Sequence, residues 1–490
     1  MKRKKFYITT PIYYANSDPH AGSAYTTIAA DIFTRWHKLK GEKVFFLTGT
    51  DEHGQKIQDI SEISGKKPKE FVDEIVEKFK QAFKLLNISN DFFIRTTNEE
   101  HEKEVKKILQ ELYDKKYIYK GSYESYYCVG CEQYLTKSDL VNGLCPLHKK
   151  EPELRKEEAY LFKLSAFQDQ LLELIKTGKY NILPIKKRNE IIHFIESGLQ
   201  DVSFSRLKEK VYWGIELPFD NKHTCFVWVD AFWNYVTGLK LTNTFKQFWP
   251  PDLQLMANDI LRVHATIWPA LLLATKTELP KTLFIHGYFT INGQKMSKSL
   301  GNAISPFYLT ERYGVDSLRY FLIREIPFGE DGDFSEKALV KRHNNELAND
   351  LGNLVSRVLT LVEKNLKVVK KCPVDKNLKS KLEMEKIRAY MDNYGLHNAI
   401  CEIWKFVNEA NKYVNENKPW ELKGKKLEKC LYNLLESIRV INVLIQPFMP
   451  GTADKINLQL GVKQGTLKDC KFGIIKEYNV KKGDILFKKL

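Results

Sequence analysis

The sequence predicts an α/β protein in which a doubly wound parallel sheet is split by an inserted segment and followed by an all-α bundle. Three observations carry this reading. Strand-like and helix-like patterns alternate over residues 5–100, and strand-like runs resume after about residue 210. Between them lies a segment rich in Tyr, Cys and charge that breaks the alternation. From about Glu346 the strands vanish and long helical patterns take over. Alternating strands and helices argue for parallel pairing, because each crossover helix returns the chain to the same edge of the sheet.

Taken in order, "KFYITTPIYY", "KVFFLTGTD" and "DFFIRTT" are apolar and β-branched runs that read as strands. "SAYTTIAADIFTRWHKLKG" and "PKEFVDEIVEKFKQAFKLL" carry apolar residues at helical spacing between them. This first half of the sheet domain occupies residues 1–116, and the insertion residues 117–212. The second half, residues 213–296, reads as strands in "TCFVWVDAFWNYV", "DLQLMAND" and "TLFIHGYFTINGQ". A basic loop region follows at 297–345. The bundle at 346–462 is read from "ELANDLGNLVSRVLTLVEKNL", "NAICEIWKFVNEANKYVNEN" and "LEKCLYNLLESIRVINVLI". A lysine-rich tail, 463–490, has short strand-like runs and no clear domain of its own.

Composition narrows the function classes. The chain has 490 residues, 43% apolar and 28% charged, which suits a globular protein of several domains. A formal net charge of +16 favours a polyanionic partner, nucleic acid before membrane, although a lysine-rich organism gives the same excess. No apolar run is long enough for a transmembrane helix. The start "MKRKKFYITTPIYYA" is broken by Thr9, Thr10 and Pro11, so a buried first strand fits better than a leader peptide. Eight cysteines are too few for a disulfide scaffold of this length. A cytoplasmic protein with one metal site is expected.

Three stretches carry chemistry. In "PHAGSAYTTIAAD" a glycine, Gly22, opens a helix directly after a strand and its exit turn, with His20 before it and Ser23 after it. A helix N-terminus favours anions, and glycine lets a phosphate or a purine approach the backbone. Cys128, Cys131, Cys145 and His148 form a C-x2-C…C-x2-H set, with 13 residues between the pairs. Two such pairs can close a tetrahedral zinc site and leave no position open for a substrate water, which makes the site structural. "GQKMSKSLGN" offers Lys295, Ser297, Lys298 and Ser299, able to hold a triphosphate and to neutralise charge as pyrophosphate leaves. Alone it would be an ordinary solvated basic loop.

Together "PHAGS" and "KMSKS" resemble the two signatures of class I aminoacyl-tRNA synthetases. "TTPIYYAN", "FFLTGTDEHGQK", "YCVGCEQY", "VWVDAFWNY", "FIHGYFTINGQKMSKSLGN" and "NKPWEL" sharpen this to the methionyl-tRNA synthetase family, in that family's order. The resemblance implies a Rossmann-type catalytic domain with a zinc-binding insertion and an all-α anticodon-binding bundle. It also implies the two-step ligation of methionine to tRNA(Met). Asp51 would take the ammonium of methionine. Ile12, Tyr14, Trp228, Ala231, Tyr235 and His286 would line the thioether pocket, where aromatic walls suit a polarizable sulfur. Spacing alone would make those aromatics plain core.

Asp259 would bind the ATP ribose, beside His20, Gly22, Ser23, Lys295, Ser297 and Lys298. Catalytic roles fall to His20, Lys295 and Lys298, with Mg2+ accompanying ATP. Asn353 and Arg357, four apart and off the apolar stripe of Leu347, Leu351, Leu354, Val355 and Val358, would grip the anticodon with Trp420. Their spacing alone would equally make a solvated face. The chain ends without the tRNA-binding domain that some members append, which implies a monomer.

Departures from the family all fall around ATP. Ser23 replaces a second signature histidine, and Ala257 and Asn258 stand where the family shows Gly-Lys. A working enzyme with shifted ATP contacts is expected. The alternatives are another class I synthetase, such as that for cysteine, or a tRNA-binding scaffold that has lost activation.

Overall fold

The computed structural model describes residues 4–490 except 131, 136, 147, 148, 292, 297–301 and 367, with backbone alone at 123, 133, 138, 294 and 295. The strands β1 (Lys5–Thr9), β2 (Tyr13–Tyr14), β3 (Lys43–Asp51) and β4 (Phe92–Arg95) belong to one seven-stranded sheet. It runs on from β1 through the strands Leu253–Ala257, Thr282–His286 and Asn181–Leu183. Every pairing in it is parallel. All strands therefore end at one edge. Phe6, Ile8 and Phe46 point into one core cluster, while Tyr7, Phe45 and Leu47 point into another. That alternation is what a sheet covered on both faces requires.

Helix α1 (Ala21–Leu39) covers the first face. The helices α2 (Gln55–Ile63), α3 (Pro68–Leu85) and α4 (Glu99–Asp114) follow between the early strands. The inserted segment builds its own antiparallel sheet. The long pair Ile118–Cys128 and Glu153–Phe162 is flanked by Gln133–Leu135 and Val202–Ser203.

Two sequence expectations fail here. Asn181–Leu183 lies inside residues 117–212, read as insertion, yet it pairs as a strand of the parallel sheet. "TCFVWVDAFWNYV" is a strand only to Cys225, then two abutting helices, Val227–Phe232 and Asn234–Leu241. Its β-branched and aromatic composition favours a strand, but tertiary contacts override propensity. Trp228 and Ala231, three apart, share a face of the first helix, and Tyr235 lies in the first turn of the second.

The bundle begins with a π-helical stretch, His343–Gly352, that passes into the α-helix Asn353–Asn365. The stripe Leu347, Leu351, Leu354, Val355 and Val358 is buried, as its spacing predicts. Leu396–Asn417, Gly424–Ile445 and Pro450–Leu460 complete the main packing. The tail returns to pair Glu477–Tyr478 with Val369–Lys370, and the Leu490 N–H donates to Asn344 Oδ1 at 2.9 Å. The bundle and the α1 face of the sheet share one continuous core. Arg319, fully buried, donates at 2.6 Å to Asp31 of α1 and at 2.9 Å to the Phe448 and Pro447 carbonyls of the bundle.

Candidate active site

The carboxyl edge of the sheet carries several of the residues that the sequence singled out. β3 ends on Asp51, with Tyr14 in register beside it. The strand Thr282–His286 ends on His286, in register with Ala257, and Asp259 lies two residues beyond Ala257. α1 begins at the same edge, after β1 and β2. The Ala21 N–H donates to the Ile304 carbonyl at 2.9 Å, which seats the chain leaving the "KMSKS" loop against the start of α1. Lys295 lies in a short strand paired with Phe289–Ile291. Ser297 and Lys298 lie outside the described residues.

The start of α1 caps itself. His20 Nδ1 accepts the Gly22 N–H at 3.1 Å, Ser23 Oγ accepts the His20 N–H at 3.1 Å, and it donates back to the His20 carbonyl at 2.7 Å. With Nδ1 accepting, the ring proton of neutral His20 sits on Nε2, as a donor. Ser23 is buried by this cap.

Asp51 is 7% exposed, and its Oδ1 makes no hydrogen bond. Burial pushes its carboxyl well above the usual range, and the charges of Asp230, Glu132 and Glu52 push the same way. A buried carboxylate in this state favours a cation.

The residues expected to line the thioether pocket are held by buried partners. The Tyr235 hydroxyl bonds His264 Nε2 at 2.9 Å, and His264 Nδ1 bonds the Ile260 carbonyl at 3.0 Å. A carbonyl can only accept, so Nδ1 carries the proton and the Tyr235 hydroxyl donates. Burial pushes His264 down to about 4 and also lowers His286. His286 is held the same way, between the Gly287 carbonyl and Thr26 Oγ1, each at 2.8 Å. Ile12 and Trp228 pack on the cluster that contains Tyr235. Ala231 is buried within the helix Val227–Phe232.

That helix is anchored by Asp230, which accepts from His53 Nδ1 at 2.6 Å and His101 Nε2 at 2.7 Å. Asp230, His101, His264, Thr26 and Glu132 are supporting residues that sequence reasoning missed. Their partners lie 29 to 260 positions away, beyond any local pattern.

The metal set is described in part. Cys128 and Cys145 are buried, whereas Cys131 and His148 lie outside the described residues. Among the described residues no group of three metal-binding side chains occurs. Each pair is followed by a residue of positive φ, Glu132 at +50° and Lys149 at +51°.

At the bundle, the Arg357 guanidinium lies 5.8 Å from the Trp420 ring centre and donates to Asn415 Oδ1 at 3.1 Å. Trp420 is 52% exposed, beyond Lys418 in the left-handed region (φ +43°) and buried Pro419. Asn353 is exposed one turn before Arg357.

Family models assign the parallel sheet and the bundle joined to it to a class I aminoacyl-tRNA synthetase. The family model "tRNA synthetases class I (M)" matches residues 6–151 and 136–359, and "Anticodon-binding domain of tRNA ligase" matches 375–481. The methionine–tRNA ligase of Caldanaerobacter subterraneus subsp. tengcongensis is 48% identical over 507 residues, covering 100% of this chain and 79% of that protein. That of Thermotoga maritima is 42% identical, covering 99% and 80%. Mycobacterium tuberculosis methionyl-tRNA synthetase in complex with methionyl-adenylate superposes with a TM-score of 0.94 at 36% identity, covering 99% of each chain. Its apo form gives 0.87 at 34% identity, covering 100% of this chain and 98% of that one. The chain belongs to the methionyl-tRNA synthetase family.

Proposed function

We propose that the cleft at the carboxyl edge activates methionine with ATP and passes it to tRNA(Met), with this chain's residues dividing the work. The observation that carries the reading is Asp51, a buried carboxylate with an unbonded oxygen at a strand end, suited to the methionine ammonium. Ile12, Tyr14, Trp228, Ala231, Tyr235 and His286 then enclose the thioether. Asp259 takes the ATP ribose. His20 Nε2–H, the approach at Gly22 and the α1 dipole meet the triphosphate, and Lys295, Ser297 and Lys298 neutralise its charge. Ser23 serves by capping rather than by reaching ATP. Mg2+ accompanies ATP.

In the first step a methionine carboxylate oxygen bonds to the α-phosphorus and pyrophosphate leaves. In the second the terminal 2′-hydroxyl attacks the acyl carbon, losing its proton, and AMP leaves. Positioning and charge stabilisation suffice for the phosphate-centred first step.

Zinc held by Cys128, Cys131, Cys145 and His148 would close the two knuckle turns as a structural tetrahedral site. Asn353, Arg357 and Trp420 grip the anticodon, the exposed indole acting as a stacking platform. We place the enzyme in the cytoplasm as a monomer. Methionine-dependent exchange of pyrophosphate into ATP tests the reading. Exchange with methionine is the expected result. Exchange with cysteine instead would move the chain to a sister specificity, and no exchange with any amino acid would leave a tRNA-binding scaffold.

A further inference from the structure

Glu132 sits in the inserted segment directly after Cys131 and is 4% exposed. Its carboxylate accepts the Tyr14 hydroxyl and, at 2.9 Å, the Lys56 backbone N–H. Its own backbone carbonyl accepts the Trp228 indole N–H at 3.0 Å. One residue earlier but one, the Gly130 carbonyl accepts Lys56 Nζ at 3.2 Å. The partners come from three separate places: the exit of β1, the first turn of α2 shortly after Asp51, and the helix Val227–Phe232.

Two of the partners, Tyr14 and Trp228, are the aromatic walls assigned to the thioether. The third fixes the turn that follows the ammonium-binding carboxylate. The chain also makes room for the contact. At Gly54 (φ +108°) an added Cβ would lie 2.7 Å from Glu132 Oε1 and 2.8 Å from the Tyr14 hydroxyl. Packing alone does not call for a carboxylate in such a place, because burying a charge is costly unless it is hydrogen-bonded.

We propose that Glu132 is a positioning residue for methionine: from the inserted segment it holds Tyr14 and Trp228 in the orientation that closes the thioether pocket and braces the turn behind Asp51. The knuckle is then part of the amino-acid pocket rather than a remote appendage. The proposal rests on the methionine reading above. It makes the pocket's shape depend on a residue that touches neither substrate.

Glu132→Ala and Glu132→Gln in the full-length, metal-loaded protein test it, by pyrophosphate exchange and by methionine titration of tryptophan fluorescence. Alanine should raise both the KM and the Kd for methionine by about tenfold, the loss expected from about one hydrogen bond to a charged group. Glutamine, which keeps an acceptor oxygen, should recover most of that affinity. The KM for ATP and the zinc content should stay within about twofold of the unaltered enzyme in both variants, a separation that a general loss of folding would not give. KM values for methionine and ATP rising together, loss of zinc from both variants, or an unchanged methionine KM in an active Glu132→Ala enzyme would overturn the role of Glu132. Absence of methionine-dependent exchange in the unaltered protein would instead overturn the methionine reading itself.

Discussion

At the scale of single residues, Asp51 shows how function is stored as strain. Its buried carboxyl is pushed well above the usual range, so the ligand-free fold favours its neutral form. A group with a raised folded pKa contributes stability that is present below its unfolded pKa and lost as pH rises through the folded one. Ionising Asp51 therefore burdens the empty enzyme, and a cation bound beside it would relieve that burden. Asp51→Asn should raise the unfolding stability of the ligand-free protein by about 1 kcal/mol at pH 7 while abolishing methionine-dependent exchange. Thermal unfolding and exchange on one preparation check both halves. The methionine KM should also rise as pH falls through the raised pKa.

Ser23 and Lys298 make a second pair at this scale. Ser23→Ala removes a neutral cap worth about 1 kcal/mol and should slow adenylate formation less than about tenfold. Lys298→Ala should slow it about 10²–10³-fold, by analogy with the loss of one oxyanion donor. Single-turnover rates of adenylate formation decide. A Ser23→Ala enzyme as slow as Lys298→Ala would show that the serine itself binds the triphosphate. Ser23, at the third helical position, bonds back to the N-cap His20 three residues earlier, a local contact within reach of sequence reading, whereas the long-range partners that hold Tyr235 and His286 are not.

Among the elements, strands and helices followed the sequence where propensity and tertiary packing agree. β1, β3, α1 and α3 lie where their apolar periodicity puts them. The segment Val227–Leu241 did not follow. There Asp230 is clamped between His53 and His101, in the first of two short helices that carry Trp228 and Ala231, then Tyr235. No local signal distinguishes such a buried aromatic helix from a buried strand. The inserted element is the place to test the metal. Cys145→Ser should lower bound zinc below one per chain, loosen the insertion to proteolysis and weaken acylation, with the helical bundle still folded by circular dichroism. Zinc content unchanged from the unaltered protein would remove Cys145 from the ligand set.

At the scale of the whole molecule, two functional ends are joined by continuous packing. One core cluster runs from the α1 face of the sheet into the bundle, and Arg319 ties α1 to the Pro447–Phe448 turn. The sequence pattern marked where the sheet domain gives way to the bundle, but not that the two share a core, because burial against a distant element leaves the same apolar stripe as burial within one. Trp420 separates the ends experimentally. Trp420→Ala should cost on the order of 1–3 kcal/mol in acylation of tRNA while leaving methionine-dependent exchange intact. An equal fall in both rates would make the indole a structural residue.

This chain joins methionine to tRNA by way of an adenylate. Charging of tRNA(Met) with labelled methionine in the presence of ATP and Mg2+ tests that claim most directly. The account predicts ATP-dependent label on the terminal ribose of tRNA(Met), with AMP and pyrophosphate each released in equal amount to the ester formed. Normal binding of tRNA(Met) without any methionyl ester, or a labelled ester of another amino acid in its place, would contradict it.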